Sequence, residues 1–276
     1  MSDYLHDDMA ALAALVPDGA RLALIHDGGG VAMAATRALI RRRIRGLNLV
    51  NVPTGGLQTD MLVGAGCVAS VETSGVSLGE FGQAPNFGAA VRSGNVGIRD
   101  ATCPAIYAAL QAAEKGIPFI PFRGLIGSDL LRHRADWKVI DNPFQAGDSI
   151  VALPAIQPDV ALFHAPKADR FGNVWLGRCA ETRIMAHAAR ETLVTVEEVV
   201  DGNLMEDDLL APATLSALYV SAFALAPRGT WPLALPGFYP ADQAHLAGYA
   251  KCAPDRAGFR RYLKETAFAG EPEAAV

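Results

Sequence analysis

Short uninterrupted apolar runs alternate in the first half of the chain with stretches whose apolar residues recur at helical spacing. Residues 21–26 (RLALIH) suit a buried strand, 27–30 (DGGG) a loop, and 31–43 a helix whose basic end, Arg41-Arg42-Arg43, complements the dipole at a helix C-terminus. Residues 47–52 (LNLVNV) form a second strand, closed by Pro53 and Gly55-Gly56. The pattern repeats with a strand at 67–72, a helix at 86–92 and a strand at 95–99. An Ala-rich helix at 105–115, stopped by Gly116, and a strand at 117–122 complete it. Strands alternating with helices predict an α/β fold: a mostly parallel sheet covered by helices on both faces, in α/β/α layers.

Beyond residue 130 the rhythm changes. Residues 150–154 (IVALP) and 160–164 (VALFH) read as strands around the turn Gln157-Pro158-Asp159, and a polar turn at 168–173 leads into Val174-Trp175-Leu176. A helix at 181–190 and a β-branched strand at 192–200 (TLVTVEEVV) follow. Residues 227–240 hold four prolines and three aromatics and read as an irregular loop. Residues 255–268 read as a closing helix, and 269–276 as a frayed tail. With no fixed-period repeat and no long linker, residues 1–276 read as one domain with an irregular C-terminal extension from about residue 227.

The composition narrows the function classes. A net charge of −5 over 276 residues disfavours nucleic acid or an anionic membrane as partner. No run nears the ~18 apolar residues of a membrane span, and the acid-rich start MSDYLHDDMA does not resemble an export signal, so a cytoplasmic protein is expected. The four cysteines, Cys67, Cys103, Cys179 and Cys252, are scattered without C-x-x-C spacing, and no H-x-x-x-H occurs; neither disulfides nor a metal site is expected.

Several residues stand where chemistry is done in such folds. Gly28, Gly29 and Gly30 lie between a strand and a helix N-terminus, where bare backbone N–H groups suit an acyl oxyanion or a carboxylate; a tight βα turn explains them equally. A dinucleotide fingerprint or P-loop is missing, as is a G-x-S-x-G elbow. His164 ends an apolar strand and reads as a structural histidine or a base. Glu72 ends one predicted strand and Asp100 follows another, at the edge where parallel sheets gather ligands, and they are candidate nucleophile or base. The competing readings are a surface acid for Glu72 and a helix-start acid for Asp100.

Further motifs occur in a fixed order: Gly64-Ala65-Gly66; Phe81-Gly82-Gln83-Ala84-Pro85-Asn86-Phe87; Gly116-Ile117-Pro118-Phe119 with Arg123; and Gly127-Ser128-Asp129-Leu130-Leu131. Pro158-Asp159-Val160-Ala161-Leu162-Phe163-His164-Ala165, Ala168-Asp169 with Gly172-Asn173-Val174, and Val194-Thr195-Val196-Glu197-Glu198 follow. In these motifs the chain resembles the A (alpha) subunit of family I CoA-transferases, in the glutaconate CoA-transferase branch, from about residue 22 to 263. The resemblance implies the layered CoA-transferase fold, pairing with a separate B (beta) subunit in an α2β2 assembly, and acyl-CoA and carboxylic acid substrates. No cofactor is implied, coenzyme A being a substrate. It further implies a glutamyl-CoA thioester formed on the B subunit, with Gly28, Gly29, Gly30, Asn86 and Arg123 as substrate-binding or oxyanion candidates. Two departures stand out. Asp27-Gly28-Gly29-Gly30 lacks the family's Gly-Gly-Phe, and Glu72-Thr73-Ser74-Gly75 is similar to the Glu-Ser-Gly motif of B subunits. A sister branch resembling steroid-ring-opening hydrolases implies an acid base at the position of Asp100. A non-catalytic acyl-CoA-binding module is the third alternative.

Overall fold

The computed structural model describes residues 5–6 and 8–269. All of the expected tail except Ala269, and the first residues of the acidic start, lie outside them. The chain opens with β1 (Leu5–His6) and α1 (Met9–Ala14), the latter capped by the Asp8 carboxylate. Then β2 (Arg21–Ile25), α2 (Met33–Arg41), β3 (Leu47–Val52), α3 (Leu57–Gly64), β4 (Val68–Thr73), α4 (Pro85–Ser93) and β5 (Gly97–Asp100) follow as successive βαβ units with parallel strands. Thr102 accepts the Ala105 N–H to start α5 (Cys103–Glu114). After it come β6 (Phe119–Phe122), α6 (Leu130–His133), β7 (Lys138–Asp141), β8 (Ser149–Pro154), β9 (Val160–Asp169), β10 (Val174–Trp175), α7 (Ala180–Ala188) and β11 (Glu191–Val200). The chain closes with β12 (Thr214–Leu215), β13 (Ala222–Leu225), α8 (Gln243–Cys252) and α9 (Arg256–Thr266).

The main sheet runs β1-β13-β11-β9-β2-β3-β4-β5, every pair parallel, with β10 and β12 added antiparallel. From β2 the chain winds one way through β3, β4 and β5, and from β9 the other way through β11 and β13. The reversal lies between β2 and β9, which is where an open α/β sheet leaves a crevice at the carboxyl ends of its strands. Helices α1 to α4 pack in succession, while α5 packs with α7 against β2, β3 and β9. Leu22, Leu24, Leu49, Leu162 and Phe163 are at most 1% exposed, each contributing about 1.5–3 kcal/mol of burial.

Two readings of the sequence are corrected. The strand expected at 117–122 does not join the parallel sheet: Phe119–Phe122 pairs antiparallel with β8, and β7 flanks β8 on its other edge, forming a separate three-stranded sheet. Irregularity past residue 227 is confined to the Pro-rich loop, because Asp242 caps α8 and Asp255 caps α9. Helix α3 carries no readable amphipathic stripe, since its polar residues are buried too. Gln58 donates to Thr36, Thr59 donates to Asn51, and Asp60 accepts from Tyr249.

Candidate active site at the glycine loop

Between β2 and α2 the chain must turn against the end of β9, and three glycines make this possible. The Gly30 carbonyl accepts the His164 N–H at 2.6 Å. Gly30 holds φ at +85°, and a Cβ there would overlap the His164 carbonyl oxygen. A Cβ on Gly29 would run into Ile25 and lie 2.9 Å from Cys179 Sγ. Both positions therefore need glycine for close approach, and Gly30 also for its left-handed backbone. Within the loop, the Gly28 N–H points to His26 Nδ1 at 3.2 Å and the Gly29 N–H to the His26 carbonyl at 2.8 Å. Two of the three N–H groups expected to meet an oxyanion are thus engaged in the loop's own turn.

Asp27 reaches across to the next βα unit. Its carboxylate accepts the Leu57 N–H at 3.1 Å, capping α3 in place of the side chain that Gly56 lacks. Burial pushes the Asp27 carboxyl up to about 6, against the lowering effect of that hydrogen bond.

Two clefts open on either side of the loop. One, of about 350 Å³, lies between Asp27, Gly56, Ser77, Phe81, Leu246 and Tyr249. The other, of about 510 Å³, is lined by His26, Gly29, Trp175, Cys179, Glu181 and Phe238. The wall of the second cleft is held by Glu197 on β11. That carboxylate bonds His164 Nε2 at 2.8 Å, Tyr239 OH at 2.5 Å and the N–H groups of Arg228 and Gly229 at 2.8 and 3.2 Å. It thereby ties the Pro-rich loop to the sheet. Burial alone would raise its pKa, but these bonds outweigh burial and hold it down at about 2. His164, whose Nδ1 meets Thr195 Oγ1 at 2.8 Å, is buried, and burial lowers its pKa despite Glu197. It is a structural histidine rather than a free base.

Cys179 is the N-cap residue of α7 and Glu181 lies in its first turn. The Cys179 thiol lies 3.4 Å from Glu181 Oε2, and burial, with Glu181 adding to it, pushes the thiol up to about 11. His26, Cys179 and Glu181 bring one nitrogen, one sulfur and one oxygen within 4.8 Å of one another.

The remaining sequence candidates do not gather here. Glu72, 3% exposed, faces the α5 side of the sheet and bonds Arg134 Nη2 at 2.7 Å and Arg21 Nη2 at 2.8 Å, with Arg99 Nε at 3.6 Å. It is a buried ion-pair hub, not the surface acid also considered. Asp100 is exposed at the end of β5, and its carbonyl accepts from Arg134. Asn86 donates to Asp60 and Tyr249 at 3.0 and 3.1 Å and pins α4 to α3. Arg123 pairs with Asp148 beside the small antiparallel sheet. The sequence reading missed His26, Asp27, Cys179 and Glu181. For Asp27 a signal existed in the departure from Gly-Gly-Phe; for Cys179 there was none, since 150 residues separate it from Gly29.

Among the described residues no helix is long and apolar enough to cross a membrane. Residues 6–217 match the family model described as Coenzyme A transferase. The chain is 33% identical to the A subunit of 3-oxoadipate CoA-transferase from Pseudomonas knackmussii, covering 92% of this chain and 90% of that protein. It is 31% identical to the A subunit of glutaconate CoA-transferase from Acidaminococcus fermentans, covering 88% and 84%. The crystal structure of the Acidaminococcus enzyme superposes with a TM-score of 0.88 over 98% of this chain and 90% of that one, at 27% identity. A crystal structure of a variant of the decarboxylase AibA/AibB superposes at 0.83, with 30% identity, over 96% of this chain and 100% of that one. The chain belongs to the coenzyme A transferase family.

Proposed function

From this membership we propose that the chain is the A subunit of a heteromeric CoA-transferase, acting on an acyl-CoA and a small or medium carboxylic acid. A glutamate on the partner, the B subunit, attacks the acyl-CoA carbonyl and expels CoA thiolate, leaving a mixed anhydride. The thiolate attacks the glutamyl carbonyl of that anhydride, releasing the first acid and leaving a glutamyl-CoA thioester. The acceptor acid then reverses both steps and departs as its CoA ester. This chain supplies the crevice between β2 and β9, with the Gly30 N–H and the α2 N-terminus facing developing negative charge.

The observation that carries this reading is the state of two of the chain's own glutamates, Glu72 and Glu197. Glu72, in the segment similar to the B-subunit motif, is clamped by arginines on the α5 side of the sheet. Glu197 is saturated by four donors. Neither of these is free to form the thioester, and Glu181 in the second cleft stands against the Cys179 thiol. The relatives named above are likewise A subunits, which supports a nucleophile on the partner. The test is reconstitution. The purified chain alone should transfer no CoA, its B subunit should restore transfer, and borohydride should trap an acyl-CoA-dependent thioester on the partner. Robust turnover by the isolated chain refutes the assignment. Thiol release from acyl-CoA without any acceptor acid would instead make the assembly a CoA-ester hydrolase.

A further inference from the structure

We propose that His26, Cys179 and Glu181 form a zinc site at the glycine loop, with its fourth coordination position open to the cleft. The donor atoms come from two distant parts of the chain, the end of β2 and the start of α7, and converge to within 4.8 Å. A tetrahedral zinc ion with bonds of about 2.3 Å to sulfur and about 2.0 Å to oxygen sets the S···O edge at about 3.5 Å. Cys179 Sγ and Glu181 Oε2 stand 3.4 Å apart, so that edge is already formed. The His26 ring nitrogen lies within 4.8 Å of both other donors, and its two edges must shorten to about 3.3–3.5 Å on binding.

The surroundings suit the ion. Gly29 has no Cβ, and one placed there would lie 2.9 Å from the Cys179 sulfur, so glycine is what lets the thiol reach the loop. Cys179 stands at the N-cap position of α7 without a side-chain capping bond, so its sulfur is left at the positive end of the helix dipole. His26 Nδ1 accepts only the long 3.2 Å bond from Gly28 N–H, within an exposed turn where water can replace it, leaving that nitrogen available. On binding, the Cys179 S–H proton leaves to solvent as the Zn–S bond forms, and the thiol–carboxylate contact becomes a ligand edge. A nitrogen, sulfur and oxygen set favours zinc over magnesium or calcium, which take oxygen ligands. Three protein ligands beside an open cleft of about 510 Å³ leave room for a fourth. On the transferase reading that ligand is a substrate carboxylate or the CoA thiolate; the three-residue site does not depend on it.

The test uses the full-length chain without an affinity tag, stripped with a chelator and titrated with Zn²⁺ against a chromophoric competitor, and separately with Co²⁺. One equivalent of zinc per chain and a thiolate-to-cobalt charge-transfer band are expected. Cys179→Ser should abolish the band. Glu181→Gln should weaken zinc binding by more than the roughly 10–100-fold that outer-shell partners cost. If circular dichroism shows the Cys179→Ser chain misfolded, the Glu181→Gln titration decides. Failure to bind zinc at tens of micromolar, a cobalt–thiolate band that survives Cys179→Ser, or unchanged affinity in Glu181→Gln overturns the site. None of these readouts requires turnover, so a failed transferase assay leaves them standing.

Discussion

Glu72→Gln separates a structural carboxylate from a chemical one. The change keeps the side chain's size and removes the negative charge that faces Arg134. Both partners of that pair are almost fully buried, at 3% and 4% exposure. Removing one member of a buried pair leaves the other charged and uncompensated, which costs about 3–5 kcal/mol. Asp136 still bonds Arg134 at 3.0 Å and the ring of Trp137 lies 4.0 Å beneath its guanidinium, so the lower end, about 3 kcal/mol, applies. Arg21 and Arg99 are 32% and 46% exposed and can turn to water, adding little. At roughly 2–4 °C per kcal/mol for a chain of this size, the melting temperature should fall by about 6–12 °C. The double variant Glu72→Gln/Arg134→Met removes both charges and should recover more than half of the loss. At a temperature where the single variant stays folded, transferase activity with the B subunit should remain within about threefold of the parent. Unchanged melting with abolished turnover would refute this reasoning and make Glu72 the nucleophile.

Three further outcomes are expected. The Asp27 carboxyl, raised to about 6 against an ordinary 3.8, binds its proton more tightly in the folded chain; its contribution is therefore full below about pH 4 and lost as pH rises to 6. Asp27→Asn should flatten the stability profile between pH 4 and 6 and exceed the parent in urea midpoint at pH 7; a parallel profile would count against the buried-carboxylate picture. Gly30→Ala forces a side chain into a left-handed backbone, about 1–2 kcal/mol, and onto the His164 carbonyl. It should lower both the urea midpoint and the turnover of the assembled enzyme, and neutrality in both would remove Gly30 from the crevice. Asp100→Asn, at an exposed strand end, should keep transferase turnover within about tenfold, whereas loss of a general base costs about 10²–10⁴; abolished turnover without a trappable thioester would make Asp100 the base.

What the amino-acid order alone determined is the local grammar of the parallel sheet. The runs at 21–26, 47–52 and 160–164 are mostly apolar and lack regular apolar–polar alternation, because strands covered on both faces have no wet side, and that is visible without a structure. The glycines at 28–30 were equally legible as a strand-to-helix turn, since only backbone freedom or close approach explains three in a row. Tertiary structure decided where each polar group ended up. Glu72 reads as a strand-end acid, but Arg21 and Arg134, 51 and 62 residues away, make it an ion-pair hub. Helix α3 was invisible because its polar residues find buried partners on other elements, which erases the stripe that periodicity detects. The strand at 119–122 left the main sheet because its hydrogen-bonding partner is β8, and nothing local to residues 119–122 specifies that choice. The convergence of His26 with Cys179 and Glu181 follows from the reversal of strand order between β2 and β9. That reversal places the end of β2 and the turn after β10 on one edge, a long-range relation that no spacing along the chain encodes.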